Sequence, residues 1–167
     1  VTDLYKAQAP VESQSEQDRL RLAPELLKQV VIKVVGDRRA VEQADISALV
    51  TDAERYIDRL YYQQIPSIDG DSTQQLALTL DFNVNGINNA LQRIGLPVWD
   101  KIRPESLIWV AIEYAGKQQL IGEGDEDSLL LYVEQAAEKR GIPLLLPLMD
   151  LEDQSQLTFN DVSTGNN

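Results

Sequence analysis

The chain has 167 residues, of which 43% are apolar, and this is enough to bury the core of one ordinary domain or of two small lobes. It carries 27 acidic and 15 basic residues, a formal net charge of −12, with a mean hydropathy of −0.27. Such a charge repels the phosphates of nucleic acids, so we expect no nucleic-acid partner. No apolar run approaches the roughly 20 residues of a membrane span, so we expect no integral membrane protein.

Two missing residue types exclude several classes of enzyme and metal site. With no histidine and no cysteine, the chain cannot carry a Ser-His-Asp or Cys-His nucleophile, a zinc finger or histidine-rich metal ligation. Carboxylate, lysine, tyrosine or serine chemistry stays open, as does binding of a hard cation through oxygen atoms. No motif indicates a cofactor, and we predict a protein that is not an enzyme and has no resident metal.

Residues 1–95 predict an N-terminal lobe in which helices pack on an antiparallel sheet. Residues 4–11 alternate loosely and include a proline, which indicates a short edge strand. Ser13 and Ser15 both offer a capping-box start, and apolar residues at helical spacing then predict a helix of about five turns that ends at Gly36. Segment 30–35 of this helix is rich in β-branched residues, so a strand is the alternative there.

The rest of this lobe predicts a helix, a turn, a strand and a helix. An apolar stripe over residues 46–60 predicts the first helix, which Asp45 can cap. Residues 67–74 have the composition of a turn, and their calcium-loop spacing lacks the later glycine and glutamate that such a loop requires. Residues 75–82 alternate as a half-buried antiparallel strand, and residues 87–94 predict a short helix.

Two prolines and mixed charge mark residues 96–106 as a linker to a C-terminal lobe over 107–167. A continuous apolar strand at 107–112, a second strand and a helix at 126–140 precede another apolar strand at 142–149. This ββαβ order predicts a mostly parallel, buried strand pair joined by a right-handed crossover. The predicted fold class is therefore α+β, with two small lobes.

Four carboxylates stand where the two apolar strands of the C-terminal lobe end. Glu113 follows the first strand, and Asp150, Glu152 and Asp153 follow the second. Ligands of open α/β sheets lie beyond the carboxyl ends of parallel strands, so these acids could hold a small ligand, Ca²⁺ or Mg²⁺. The alternative is structural, because a strand that leaves the core becomes polar. Two prolines in the second strand favour this alternative, since each deletes a ladder donor and indicates an edge strand.

Three stretches together resemble a known family: VVIKVVGDRRAVEQADISALVTDAERYI, INNALQRIGLPVWDKIRPESLIWVAIE and RGIPLLLPLMDLED. The chain resembles an uncharacterised family of exported proteobacterial proteins, domain-of-unknown-function family 2066, from about Leu4 to Asp161. The Gly-Leu-Pro-x-Trp linker and the Leu-Pro-Leu-Met-Asp-Leu-Glu-Asp segment are its most specific parts.

The resemblance implies export across the inner membrane, with a removed signal peptide as the account of Val1. It also implies that the natural protein continues past Asn167. The family carries no established activity, so the predicted function is a non-enzymatic periplasmic or secreted protein of the cell envelope that binds or assembles another envelope protein. An exposed apolar surface around Val98 and Trp99 is the expected docking site. Binding of a small ligand or divalent cation at the four carboxylates is the alternative function.

Overall fold

The computed structural model describes residues 3–66, 74–99, 102–125 and 128–165 and shows the predicted mixed α+β fold. Seven strands are formed: β1 (Lys6–Pro10), β2 (Ile57–Pro66), β3 (Gln74–Phe82), β4 (Ser106–Leu107), β5 (Val110–Tyr114), β6 (Lys117–Ile121) and β7 (Leu144–Leu145). The helices are α1 (Glu16–Val35), α2 (Arg38–Gln43), α3 (Ser47–Thr51), α4 (Val84–Arg93), α5 (Ser128–Arg140), α6 (Leu151–Gln156) and α7 (Phe159–Thr164).

Two compact units divide the chain. Unit 1 comprises Val1–Arg103 with Glu138–Gly141, and unit 2 comprises Pro104–Ala137 with Ile142–Asn167. The boundary at Arg103 falls inside the stretch that the sequence marks as a linker. No helix in the described ranges is both long and apolar enough to cross a membrane.

Helix α1 is the centre of the unit 1 core, and it matches its prediction. The Ser15 side chain accepts a hydrogen bond from the Asp18 backbone N–H, and Gly36 ends the helix at a φ of +74°. Residues 30–35 are helical although most of them are β-branched. Four of the five β-branched side chains in this segment are buried in the core cluster, so tertiary packing outweighs their β-propensity.

The unit 1 sheet has the order β1-β3-β2 and is antiparallel throughout. The predicted edge strand is β1, which pairs with β3 through Ala7 and Leu80. Strand β3 lies in the centre, and residues 77–80 are all buried. The sequence therefore predicts this strand correctly. Its predicted half-burial is wrong, because the middle of β3 is covered on both faces.

The predicted helix over 46–60 is wrong beyond its first turns. Helix α3 ends at Thr51, a 3₁₀ turn follows over Ala53–Tyr56, and β2 begins at Ile57. Strand β2 pairs along the whole of β3. Its apolar residues pack on the unit 1 core, as the apolar side of the predicted helix would have done. Pairing with β3 therefore decides the structure of this segment. Helix α2 was not predicted, although Asp37 caps it.

A buried arginine joins two helix ends in unit 1. The guanidinium of Arg103 donates hydrogen bonds to the carbonyl oxygens of Lys33 (2.5 Å) and Gly141 (2.6 Å). Both acceptors lie at the C-terminal ends of helices, where unpaired carbonyls carry partial negative charge. The guanidinium also stacks on Trp99, 4.2 Å from the ring centroid, and the Trp99 backbone N–H bonds the Val34 carbonyl at 2.8 Å.

Unit 2 contains two small sheets. Strands β4 and β7 form the predicted parallel pair, with Leu107 opposite Leu145, and β5 and β6 form an antiparallel hairpin against which α7 lies. The parallel pair is shorter and more exposed than predicted: each strand has two residues, and neither strand is fully buried. The predicted strands 107–112 and 142–149 are therefore wrong in extent.

Prolines explain the short second strand of the parallel pair. Pro143 and Pro147 flank β7 and lack the N–H that would extend its ladder. Beyond them, Asp150 starts α6 and turns the chain out of the extended conformation. The predicted turn at 67–74 falls almost entirely outside the described residues, as do Glu126 and Asp127 of the acidic stretch before α5.

Candidate interaction surface

Unit 2 exposes many large apolar side chains. In the described part of the chain, eight such side chains lie in unit 2 and five in unit 1. Those of unit 2 are Leu107, Tyr114, Leu129, Leu131, Tyr132, Leu145, Leu148 and Leu151. Two leucines stand out, because Leu148 is 68% exposed and Leu151 is 87% exposed. We call the segment that carries them, residues 147–153, the leucine turn.

Contacts with the preceding loop fix the first half of the leucine turn. The Glu123 backbone N–H donates a hydrogen bond of 2.8 Å to the Pro147 carbonyl. Gly122 packs so closely against the turn that a Cβ there would lie 2.8 Å from the Pro147 oxygen and would collide with the Met149 side chain. Pro147 itself is buried. A glycine at position 122 therefore allows the loop and the turn to pack together.

Two carboxylates fix the second half of the leucine turn. Asp150 Oδ1 accepts hydrogen bonds from the backbone N–H groups of Glu152 (2.9 Å) and Asp153 (3.0 Å), and so caps α6. Asp153 Oδ2 accepts a bond of 3.0 Å from the Met149 backbone N–H. The acids of this segment therefore hold the backbone that displays the leucines.

Met149 explains why its leucine neighbours are exposed. Its φ of +57° lies in the left-handed region, which costs a non-glycine residue about 1–2 kcal/mol. This conformation accompanies packing of the Met149 side chain on Gly122, while Leu148 and Leu151 keep most of their surface in water. Strain of this kind persists where surrounding contacts determine the backbone, and it is concentrated at functional sites.

Further exposed apolar side chains of unit 2 lie on the parallel pair and on α5. Leu107 and Leu145 are opposite each other in β4 and β7, with exposures of 54% and 45%. On α5, Leu130 is buried, whereas Leu129 and Tyr132 are about half exposed. The latter two are three residues apart and so share one side of the helix. The apolar side chains of α5 therefore cover more of the helix surface than the part that is buried.

The four predicted ligand carboxylates have separate surroundings. Glu113 lies on β5, is exposed and accepts a hydrogen bond of 3.3 Å from Gln118 Nε2 across the hairpin. Asp150 and Asp153 bond backbone N–H groups, and Glu152 is exposed in the first turn of α6. No group of three or more Asp or Glu residues suited to a metal ion is found among the described residues. Asp150 and Asp153 therefore have a structural role, and ligand binding at the four acids stays a prediction.

The predicted interaction surface at Val98 and Trp99 lies in unit 1. Val98 is 42% exposed and Trp99 is 39% exposed. The Trp99 ring contacts Gly36, where a Cβ would collide with it, and stacks on Arg103. Part of the ring is therefore used to close the C-terminal end of α1, and the remainder faces solvent.

Sequence reasoning missed the display of Leu148 and Leu151, because it assigned the first to a buried strand. A signal for the correct structure was present. Asp150 followed by acids at two of the next three positions is the pattern of a helix start. A helix that starts at residue 151 limits the length of the strand before it, so Leu148 need not lie in a buried strand.

The comparisons with known proteins change the family assignment. A family of undescribed function matches residues 1–100, whereas no curated protein and no solved structure matches the chain. The resemblance to domain-of-unknown-function family 2066 is therefore wrong, and the export and envelope location that it implied lose this support. The stretches that suggested it combine buried apolar positions with turn prolines, which unrelated α+β folds also contain. The chain belongs to the family described as Domain of unknown function (DUF8605).

Proposed function

We propose that this chain is a non-enzymatic protein-interaction module and that the leucine turn is its docking site. One observation carries the proposal: Leu148 and Leu151 are 68% and 87% exposed on a backbone that hydrogen bonds hold in place. A mobile terminus that exposes leucines would need no explanation. The leucine turn is different, because hydrogen bonds and a helix cap hold the backbone on which the two leucines are exposed.

Preorganisation gives such a turn an energetic advantage in binding. Ordering a loop at an interface opposes association, and a turn that is already fixed avoids most of that cost. Burying a leucine side chain contributes about 1.5–3 kcal/mol relative to leaving it in water. Two leucines on a fixed turn therefore offer apolar surface that a partner can bury at a low cost in ordering.

The non-enzymatic part of the proposal rests on residue chemistry. The chain has no histidine or cysteine, so the commonest nucleophile and base pairs are missing from its sequence. Asp150 and Asp153, two of the three carboxylates next to the exposed leucines in the chain, accept hydrogen bonds from backbone N–H groups. These bonds assign them to holding the turn, and general acid–base work would require a carboxyl that faces a substrate.

Selection from a random peptide library displayed on phage tests the docking site without assuming a partner. The full chain is immobilised, and each selected peptide is then measured against Leu148→Ser/Leu151→Ser. The control is Leu20→Ser/Ile94→Ser, which replaces two exposed apolar residues of unit 1. We expect peptides that lose at least about tenfold in affinity for the first variant and bind the control like the parent chain. A selection that yields no peptide, or peptides that bind both variants equally, would contradict the proposal.

A further inference from the structure

Almost all of the net charge of the chain lies in unit 2. Unit 1 contains 16 acidic and 14 basic residues, for a net charge of −2, whereas unit 2 contains 11 acidic residues and 1 basic residue, for a net charge of −10. The single basic residue of unit 2 is Lys117, at the start of β6. The unit that exposes the leucine turn is therefore strongly anionic.

Exposed acidic side chains lie within the leucine turn and on the loop that is hydrogen-bonded to it. Asp150 and Glu152 lie within the turn and are exposed. Glu123 and Asp125 are exposed on the loop that the Glu123–Pro147 hydrogen bond holds against it. The carboxylates that accept bonds from backbone N–H groups keep their negative charge, since those donors are neutral. Exposed leucines and carboxylates thus occur together in the leucine turn and the loop bonded to it.

The described carboxylates of unit 2 take part in no salt bridge with another described residue. Within the described ranges, every salt bridge joins residues of unit 1, such as Arg19 with Glu54 and Arg38 with Glu42. The negative field of unit 2 therefore extends into solvent, where it attracts cationic partners and repels anionic ones.

We propose that the leucine turn binds a basic amphipathic segment of another protein, whose apolar side chains cover Leu148 and Leu151 while its lysines or arginines face the bordering acids. The inference rests on the proposed function and adds the chemistry of the partner. Charge complementarity selects this occupant. A second copy of this chain would bring another net charge of −10 to the same surface, and an anionic membrane would be repelled in the same way.

A helical peptide of leucine and lysine, about four turns long, is the first probe, and the same peptide with glutamine in place of lysine is its matched control. Both are titrated into the full chain by calorimetry, from about 50 mM to about 500 mM NaCl. We expect the lysine peptide to bind at least about tenfold more tightly at low salt, and this advantage to shrink as salt screens the acids. Equal affinities for the two peptides at low salt would overturn the inference.

Two variants separate the apolar and the charged contributions. Leu148→Ser/Leu151→Ser should weaken both peptides by about tenfold or more. Glu123→Gln/Glu152→Gln should weaken only the lysine peptide, by about threefold to tenfold, because it leaves the capping carboxylates in place. Glu12→Gln/Glu113→Gln removes two exposed carboxylates elsewhere and is the control for net charge. Equal losses from the two glutamate variants would contradict a site at the leucine turn.

The outcomes distinguish the two proposals. If both peptides need the leucines and bind equally, the docking site stands and the basic partner is wrong. If neither peptide needs the leucines, both proposals fail. A dimer in sedimentation velocity that is lost in Leu148→Ser/Leu151→Ser would show that a second copy occupies the surface. Binding to uncharged phosphatidylcholine vesicles that needs the same leucines would show a lipid surface instead, and either result overturns the inference.

Discussion

Unit 1 has 107 residues and unit 2 has 60. Among the residues that the structure describes, unit 1 buries twenty apolar side chains and exposes five large ones, whereas unit 2 buries three and exposes eight. The same chain thus contains a unit with an ordinary hydrophobic core and a unit that keeps much of its apolar surface in water. The two also differ in net charge, −2 against −10. We infer that unit 1 supplies most of the folding stability, whereas unit 2 carries the proposed docking site.

The packing of unit 1 makes the largest prediction. Leu26 lies in the middle of α1 and is fully buried, so Leu26→Ala should lower the free energy of unfolding by about 2–5 kcal/mol. Leu20 is 48% exposed on the same helix, and Leu20→Ala should change it by less than about 0.5 kcal/mol. Urea unfolding is followed by the fluorescence of Trp99 in a Trp109→Phe background. Equal effects of the two substitutions would contradict the burial of Leu26 in the unit 1 core.

Substitution of Arg103 tests whether the stability of unit 1 also depends on a buried polar contact. Arg103→Met leaves the Lys33 and Gly141 carbonyls without the guanidinium and should cost about 2–4 kcal/mol. Arg103→Lys keeps the positive charge but loses the planar fork, and an intermediate cost is expected. Urea midpoints from circular dichroism measure both variants. A stability equal to that of the parent chain in Arg103→Met would show that this contact does not hold the helix ends.

Gly122 tests the leucine turn without changing a leucine. Gly122→Ala places a Cβ against Met149 and the Pro147 carbonyl, and the turn must shift to accommodate it. We expect a loss of about 1–3 kcal/mol in unit 2 and weaker binding of the leucine and lysine peptide. Gly124→Ala is the matched control, because a Cβ there meets no atom within 4 Å, although its φ of +89° carries its own strain. Hydrogen exchange and the peptide titration should show the larger effect for Gly122→Ala, and the reverse order would contradict the packing described.

The smallest prediction concerns pH. Burial lowers the pKa of Lys33, and the charges of Glu138 and Asp3 oppose this shift. Between the lowered pKa and the ordinary value of 10.5, the unfolded chain binds more protons than the folded chain, so Lys33 makes the free energy of unfolding rise with pH in that window. The stability of the parent chain relative to Lys33→Met should therefore increase towards pH 10.5, as measured by urea unfolding. Lys28→Met, an exposed lysine of α1, controls for the lost charge, and a difference that falls with pH would contradict the assignment.

Local sequence rules predict a helix or strand correctly where the propensities of its residues and its tertiary packing favour the same structure. Helix α1 has a serine cap, an apolar stripe and a glycine stop, and its packing reinforces all three. Residues 57–60 have apolar spacing that suits a helix, yet they form a strand because β3 offers a ladder. A partner strand distant in sequence cannot be identified from local periodicity.

The candidate surface could be predicted only in part. Composition located the acidic segment and even the residues Asp150, Glu152 and Asp153, but the sequence could not show whether they would bind a ligand or cap a helix. The structure shows that Asp150 caps α6, and ligand binding at these acids stays a prediction. Beside the exposed Leu148, Met149 has a left-handed backbone and packs against Gly122, 27 positions away in the chain. Such a contact leaves no periodic signal.

Hydrogen exchange of the full chain, with and without the leucine and lysine peptide, tests the contrast between the units most directly. We predict slow exchange in α1 and β3, faster exchange in unit 2, and new protection on binding at residues 122–125 and 147–153. The leucine and glutamine peptide is the control and should protect these residues less at the same concentration. Protection confined to unit 1, or slow exchange in the free leucine turn equal to that of α1, would contradict the account.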